Sequence, residues 1–233
     1  MKLLGEKTAP AFVQRRKPPS LTALRSALPP STAVAWLKTV LFALCLAPLA
    51  RLVFFAFTDR LGANPIEFVL RSLGTWTLTL LLVTLSITPL RRLTGWNSLI
   101  RVRRMLGLFA FFYACLHFLT YAGVDQSFDL SAILADVVKH PYITVGFTCF
   151  VLLIPLAATS TNAMQRRLGG RRWQLLHRLI YVIAAGGVVH YLWLVKKDIT
   201  QPLLYGLVLV VLLGLRLWWR RQPARAALSR PPG

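Results

Sequence analysis

The chain has 233 residues, 56% of them hydrophobic and only 15% charged, against about 25% charged in an ordinary soluble domain. The apolar residues come in long blocks, such as 76–87 (WTLTLLLVTLSI) and 203–215. Six stretches approach the roughly 20 apolar residues that a bilayer span needs, which excludes a soluble enzyme. The net charge of +21 comes from 28 Lys and Arg against seven acids. Those charges sit at span ends, where they orient helices and meet anionic lipid heads, so topology accounts for them and nucleic-acid binding is excluded.

Residues 1–33 are polar, basic and Pro-rich and lack the apolar core of a signal peptide. They are expected to be a disordered cytoplasmic tail. The six spans are predicted at about 34–57, 72–90, 105–122, 142–159, 173–195 and 202–219. A membrane domain over 34–220 and a basic C-terminal tail over 221–233 complete the expected organisation. Pro65, Pro141 and Pro202 stand near span starts, where a missing N–H costs nothing. Pro48 and Pro155 fall inside spans and predict kinks. The three cysteines (Cys45, Cys115, Cys149) lie in apolar blocks with no zinc or iron–sulfur spacing.

The connections alternate in charge. Arg91, Arg92, Arg101, Arg103 and Arg104 fill the loop between spans 2 and 3, Arg166, Arg167, Arg171 and Arg172 the loop between spans 4 and 5, and Arg216, Arg220 and Arg221 the C-terminal end. The remaining loops hold six of the seven acids. The positive-inside rule then places both termini in the cytoplasm.

Chemistry rests on few side chains. Among four histidines, His140 is expected in an external loop, His117 near the outer end of span 3, His177 near the inner end of span 5 and His190 near its outer end. Ionisable groups inside a membrane are costly and default to function, although a single interior His can be a hydrogen-bonded core residue. No carboxylate sits mid-span, which favours imidazole as a metal ligand over imidazole in a proton relay. Spans 3 and 5 run parallel, so His117 and His190 share a depth and could bind one haem iron from both faces. His177 lies thirteen residues before His190, a rise of about 20 Å in a helix, which suits two haems at different depths. Those thirteen steps leave the two rings about 140° apart, so one face requires a distortion; Gly186 and Gly187 are candidates either for that distortion or for letting a flat ring approach the backbone. An inner haem would need a further ligand, Met105 or Met164, or would be five-coordinate. Arg51 and Arg71 lie in the outer halves of spans 1 and 2, placed either to pair with haem propionates or to snorkel. Trp36, Trp96, Trp173, Trp193, Trp218 and Trp219 read as interfacial belt. No P-loop, dinucleotide fingerprint or nucleophile–base pair is present.

The run Arg103-Arg104-Met105-Leu106-Gly107-Leu108 with Tyr113-Ala114-Cys115-Leu116-His117 resembles span 3 of the MsrQ (YedZ) family. So do Leu156-Ala157-Ala158-Thr159-Ser160-Thr161-Asn162, the stretch from Trp173 to Tyr181, His190-Tyr191-Leu192-Trp193, and Gly62-Ala63-Asn64-Pro65-Ile66-Glu67. The similarity covers about residues 34–220. It implies an all-α six-span bundle with a ferric-reductase-like fold in the bacterial inner membrane. It further implies one or two haem b groups held by His117, His177 and His190, an association with FMN, and quinol from the quinone pool or a cytosolic flavin reductase as electron donor. The implied acceptor is a periplasmic molybdopterin reductase, MsrP, which repairs oxidised methionines; substrate chemistry would then lie on that partner. On the residues alone, two alternatives stand beside this reading: a non-redox transporter or scaffold with structural histidines, and a stand-alone quinol- or metal-reducing cytochrome.

Overall fold

The computed structural model describes residues 32–195 and 197–221. The expected tails therefore lie outside the described residues except at their inner edges. By its contacts the chain divides into two units at Leu37 and Lys38; of the first, only the opening of one helix is described.

Nine α-helices and no strand occur among the described residues: α1 (Thr32–Phe57), α2 (Pro65–Thr94), α3 (Arg103–Leu119), α4 (Leu130–Lys139), α5 (Pro141–Ala158), α6 (Asn162–Leu168), α7 (Gly170–Leu176), α8 (Leu179–Leu194) and α9 (Thr200–Arg221). A 3-10 turn (Asn97–Arg101) precedes α3 and a π-helical turn (Thr120–Asp125) follows it. Six helical stretches are long and apolar enough to cross a membrane: 34–57, 65–94, 103–125, 141–158, 170–194 and 200–221. These agree with the six expected spans, and the second is longer than expected at both ends.

Local chemistry sets the helix ends. Asn64 caps α2, its Oδ1 accepting from Glu67 N at 3.2 Å while its Nδ2 donates to Glu67 Oε2 at 3.0 Å, and Pro65 fills the first helical position. Gly95, at φ +70°, ends α2 in the left-handed region, where a Cβ would be strained. Asp129 caps α4 by accepting from Ser131 N and Ala132 N, and the Ser131 hydroxyl and these amides hold its carboxyl below the usual range. The amphipathic α4 and the helical turn α6 were not expected, each being too short to register as a span, whereas α7 opens the fifth span.

Packing is strongest between α2 and α3 and between α5 and α8, while α9 lies against α2 and α8, and α3 against α5. A buried cluster of Leu82, Leu85, Ala184, Leu209 and Leu212 ties α2, α8 and α9. Gly186 and Gly187 serve this packing: a Cβ at Gly186 would lie 2.5 Å from Cys149 Sγ, and one at Gly187 3.3 Å from Leu78 Cδ1. The helix runs straight through both, so they are not the expected distortion. The break falls instead at His177 and Arg178, between α7 and α8.

Two polar side chains tie the spans to one another. The Tyr113 side chain is fully buried; its hydroxyl donates to Cys45 O at 2.7 Å and accepts from Leu49 N at 3.1 Å. It thus enters the backbone ladder of α1 beside Pro48, one of the ways a helix interruption is satisfied. Arg216 on α9 donates to Leu85 O at 2.6 Å and to the Tyr181 hydroxyl, which joins three helices at the Arg-rich end.

Candidate haem-ligand site

His117 lies in the last turn of α3, and His190 lies on α8. Their ring centres are 6.3 Å apart and the ring planes cross at 80°. Two imidazoles bonded to opposite sides of one metal ion have a bond of about 2 Å on each side. With about 1 Å from nitrogen to ring centre, the centres then fall about 6 Å apart. The observed centre-to-centre spacing matches that expected for two imidazoles that would hold one metal ion between them. No group of three or more His, Cys, Asp or Glu able to hold a metal occurs among the described residues. The pair therefore suits an ion whose other ligands come from a cofactor.

The rings are oriented by one device used twice. His117 Nδ1 lies 3.0 Å from Leu70 O, and His190 Nδ1 2.7 Å from Tyr142 O. A carbonyl only accepts, so each Nδ1 carries the proton and each Nε2 keeps its lone pair for a metal. Four residues beyond each carbonyl stands a glycine, Gly74 on α2 and Gly146 on α5. A Cβ at Gly74 would lie 3.2 Å from His117 Cε1, and one at Gly146 2.8 Å from both Cε1 and Nδ1 of His190. Each ring thus lies against a bare stretch of a neighbouring helix and shares a carbonyl from the turn before. Sequence reasoning missed both glycines; single glycines within otherwise apolar spans were the available signal.

His177 stands apart at the turn between α7 and α8. Its Nδ1 lies 3.1 Å from Trp173 O, and the Trp173 ring stacks on it with centres 3.9 Å apart at 27°. Its Nε2 is buried without a hydrogen-bond partner, although the Leu156 backbone and Arg103 act on the ring electrostatically. With Nδ1 turned to the Trp173 carbonyl, Nε2 is the ring nitrogen left for a ligand, beside the Leu156 backbone. Trp173, expected as belt, instead backs this ring, and its Nε1 donates to Thr159 O at 2.8 Å. Met105 lines a groove between α1 and α3, and Met164 stands on α6.

Arg71 pairs with Glu67 one turn before it. Both line a cavity of about 860 Å³ that Tyr142, Tyr191, His140 and Trp193 also line, so Arg71 shares a cavity with the residue whose carbonyl holds His190. Arg51 lies elsewhere, its guanidinium over the Phe55 ring at 5.2 Å. His140 binds Asp136 Oδ1 at 2.6 Å, and Asp136 Oδ2 accepts from the Tyr121 hydroxyl at 2.7 Å.

Six membrane-length helices with apposed imidazoles on the third and fifth define a ferric-reductase-like membrane component. The family model described as "Ferric reductase like transmembrane component" matches residues 70–188, a segment that carries His117 and His177 and ends two residues before His190. Curated relatives sharpen this. A protein of Herminiimonas arsenicoxydans named protein-methionine-sulfoxide reductase heme-binding subunit MsrQ is 60% identical over 80% of this chain and 86% of its own length. Proteins of the same name from Ralstonia nicotianae and Rhodospirillum rubrum are 57% identical over 87% of this chain and 94% of theirs, and 53% identical over 77% and 86%. The chain belongs to the MsrQ family.

Proposed function

We propose that this chain is the haem-binding, electron-carrying membrane subunit of a methionine sulfoxide reductase system. The observation that carries the reading is the 6.3 Å spacing of the His117 and His190 rings with both Nδ1 atoms committed to carbonyls. Bound haem b would supply one-electron carriage, with its potential set by axial ligands and burial. The chain's own part is to hold it. His117 and His190 present Nε2 from α3 and α8, and the helices carrying Leu70 and Tyr142 fix the ring planes. Apolar spans exclude water. His177, backed by Trp173, offers a lone pair for a second, inner haem. Arg71 on the cavity beside Tyr142, and Arg51 on α1, are assigned to propionate carboxylates through charge-assisted bonds.

Alternation of the six helices with the Arg-rich ends supports placing both termini in the cytoplasm of a bacterium, with the chain in the inner membrane. Electrons would then enter from quinol or a cytosolic flavin reductase at the Arg-rich side. They would leave at the acidic end toward a periplasmic molybdopterin partner, MsrP. FMN enters the proposal through family resemblance.

The test is a reduced-minus-oxidised spectrum of the detergent-purified chain with haem quantified per polypeptide. A bis-imidazole haem spectrum that His117→Ala and His190→Ala each abolish is the expected result. A colourless protein, or normal haem content in both variants, would overturn the assignment. Reoxidation of the reduced chain only when MsrP and a methionine sulfoxide are added tests the partner separately.

A further inference from the structure

A second concave site differs from the imidazole pair in its chemistry and contains neither histidine. It is a groove of about 710 Å³ between α1 and α3. Its α1 wall is Phe42 and Leu46, one and two turns after Lys38. Its α3 wall repeats at helical spacing, Met105, Leu108, Phe109 and Phe112. The Phe42 and Phe109 rings meet edge to face at 5.2 Å inside it. Phe42, Leu108 and Phe112 stay well exposed, so the wall is apolar and uncovered.

Three cations stand at one end of this groove: Lys38, Arg101 and Arg104. Among the described residues the only ion pairs are Arg71 with Glu67 and His140 with Asp136, so no carboxylate neutralises the three. Arg104 also donates to the Asn162 side chain, which steadies its guanidinium without cancelling its charge. Farther along, the buried Tyr113 hydroxyl bridges α3 to the α1 backbone at Cys45 and Leu49. The site thus has a fixed hinge point, a long apolar trough and a cationic mouth with no counter-charge.

We propose that this groove binds one anionic phospholipid, with its phosphate among Lys38, Arg101 and Arg104 and an acyl chain along the Phe42 and Phe112 walls. Charge complementarity selects this occupant. Basic pockets between membrane helices recruit anionic headgroups, each Lys or Arg near the surface contributing about a fivefold gain in binding. A quinol would need a group to take its protons, and the lining holds no carboxylate and no imidazole. The bound lipid would act as a wedge for α1, which meets its neighbours sparsely.

The test uses the full chain in detergent, with native mass spectrometry after adding palmitoyl-oleoyl phosphatidylglycerol or the phosphatidylcholine of the same chains. One phosphatidylglycerol per chain should be retained in preference to phosphatidylcholine. Lys38→Gln and Arg101→Gln, which remove side chains without a polar partner among the described residues, should each weaken retention about fivefold. The pair Arg166→Gln and Arg171→Gln, at the same end but off the groove, should leave it unchanged. Equal retention of the two lipids, or equal loss in the off-groove variant, would reduce the effect to general surface attraction and overturn the site. Displacement of the lipid by decylubiquinone at one equivalent, unaffected by Lys38→Gln, would assign the groove to quinone instead. None of these readouts depends on haem content.

Discussion

Substituting Gly146 by Ala places a methyl where the His190 ring lies. The Cβ would fall 2.8 Å from Cε1 and Nδ1, against 3.4 Å or more for an ordinary contact. The ring must therefore retreat by about 0.6 Å or α5 must move away. A metal–imidazole bond of about 2.0–2.1 Å tolerates about 0.2 Å, so the displacement is severalfold beyond what ligation absorbs. The 2.7 Å bond from Nδ1 to Tyr142 O lengthens in the same motion. Losing such an orienting partner typically costs ten- to a hundredfold in metal affinity. Helix propensity acts in the opposite direction, because Ala is favoured over Gly by about 1 kcal/mol in a helix interior. A loss of haem is therefore steric. Gly74→Ala, at 3.2 Å from His117 Cε1, needs a shift of only a few tenths of an ångström and should lose less. Gly107→Ala meets only Thr84 Cγ2 at 3.8 Å and should be silent. The assay is haem per chain by pyridine haemochrome together with the low-spin spectrum, with helicity by circular dichroism as the fold check. Wild-type haem content in Gly146→Ala, or an equal loss in Gly107→Ala, would refute the packing argument.

Other expectations are simpler. His177→Ala should leave the outer bis-imidazole spectrum intact while lowering haem stoichiometry from two to one; unchanged stoichiometry removes the inner site. Tyr113→Phe removes the hydroxyl that links α3 to Leu49 N and Cys45 O, an i, i−4 pair that can then bond directly, and should destabilise the detergent-solubilised chain by about 1 kcal/mol, read as a lowered unfolding midpoint. Arg71→Gln breaks an exposed ion pair worth at most about 0.5 kcal/mol, so stability should barely change while the haem midpoint potential moves. An unmoved potential would detach Arg71 from the cofactor. A reporter fused after Gly233 should be active only in the cytoplasm, and a periplasmic signal would reverse the sidedness.

The six spans were readable because a bilayer imposes a length and a composition that sequence shows directly. Pro65 and Pro141 marked helix starts for the same reason: each fills a first-turn position whose N–H has no helical partner. His117 and His190 were readable as a pair from depth alone. What sequence could not show was which atoms hold them. The partners are carbonyls of Leu70 and Tyr142, and a backbone oxygen leaves no trace in residue identity. Gly186 and Gly187 misled because glycine permits both distortion and close packing; only the Cys149 and Leu78 contacts decide for packing. Trp173 misled because an interfacial tryptophan and one stacked on an imidazole have the same sequence position near a span end.

If His117 and His190 are ligands as proposed, holding them by carbonyls explains how the spans can carry these imidazoles without a mid-span acid. A carboxylate orienting each ring would bring a charge into the apolar layer, at a cost of a few kcal/mol. A helix carbonyl has a second lone pair that its own ladder does not use, so it accepts from Nδ1 without adding any buried charge. The requirement then shifts from the accepting residue to the one four positions on, where any side chain would fill the ring's place. Leu70 and Tyr142 should accordingly tolerate substitution with the Nδ1 bonds intact, while Gly74 and Gly146 should not. Leu70→Val and Tyr142→Phe are expected to keep the haem spectrum that Gly146→Ala loses. The reverse ranking would mean that side chains, and not the backbone, orient the pair.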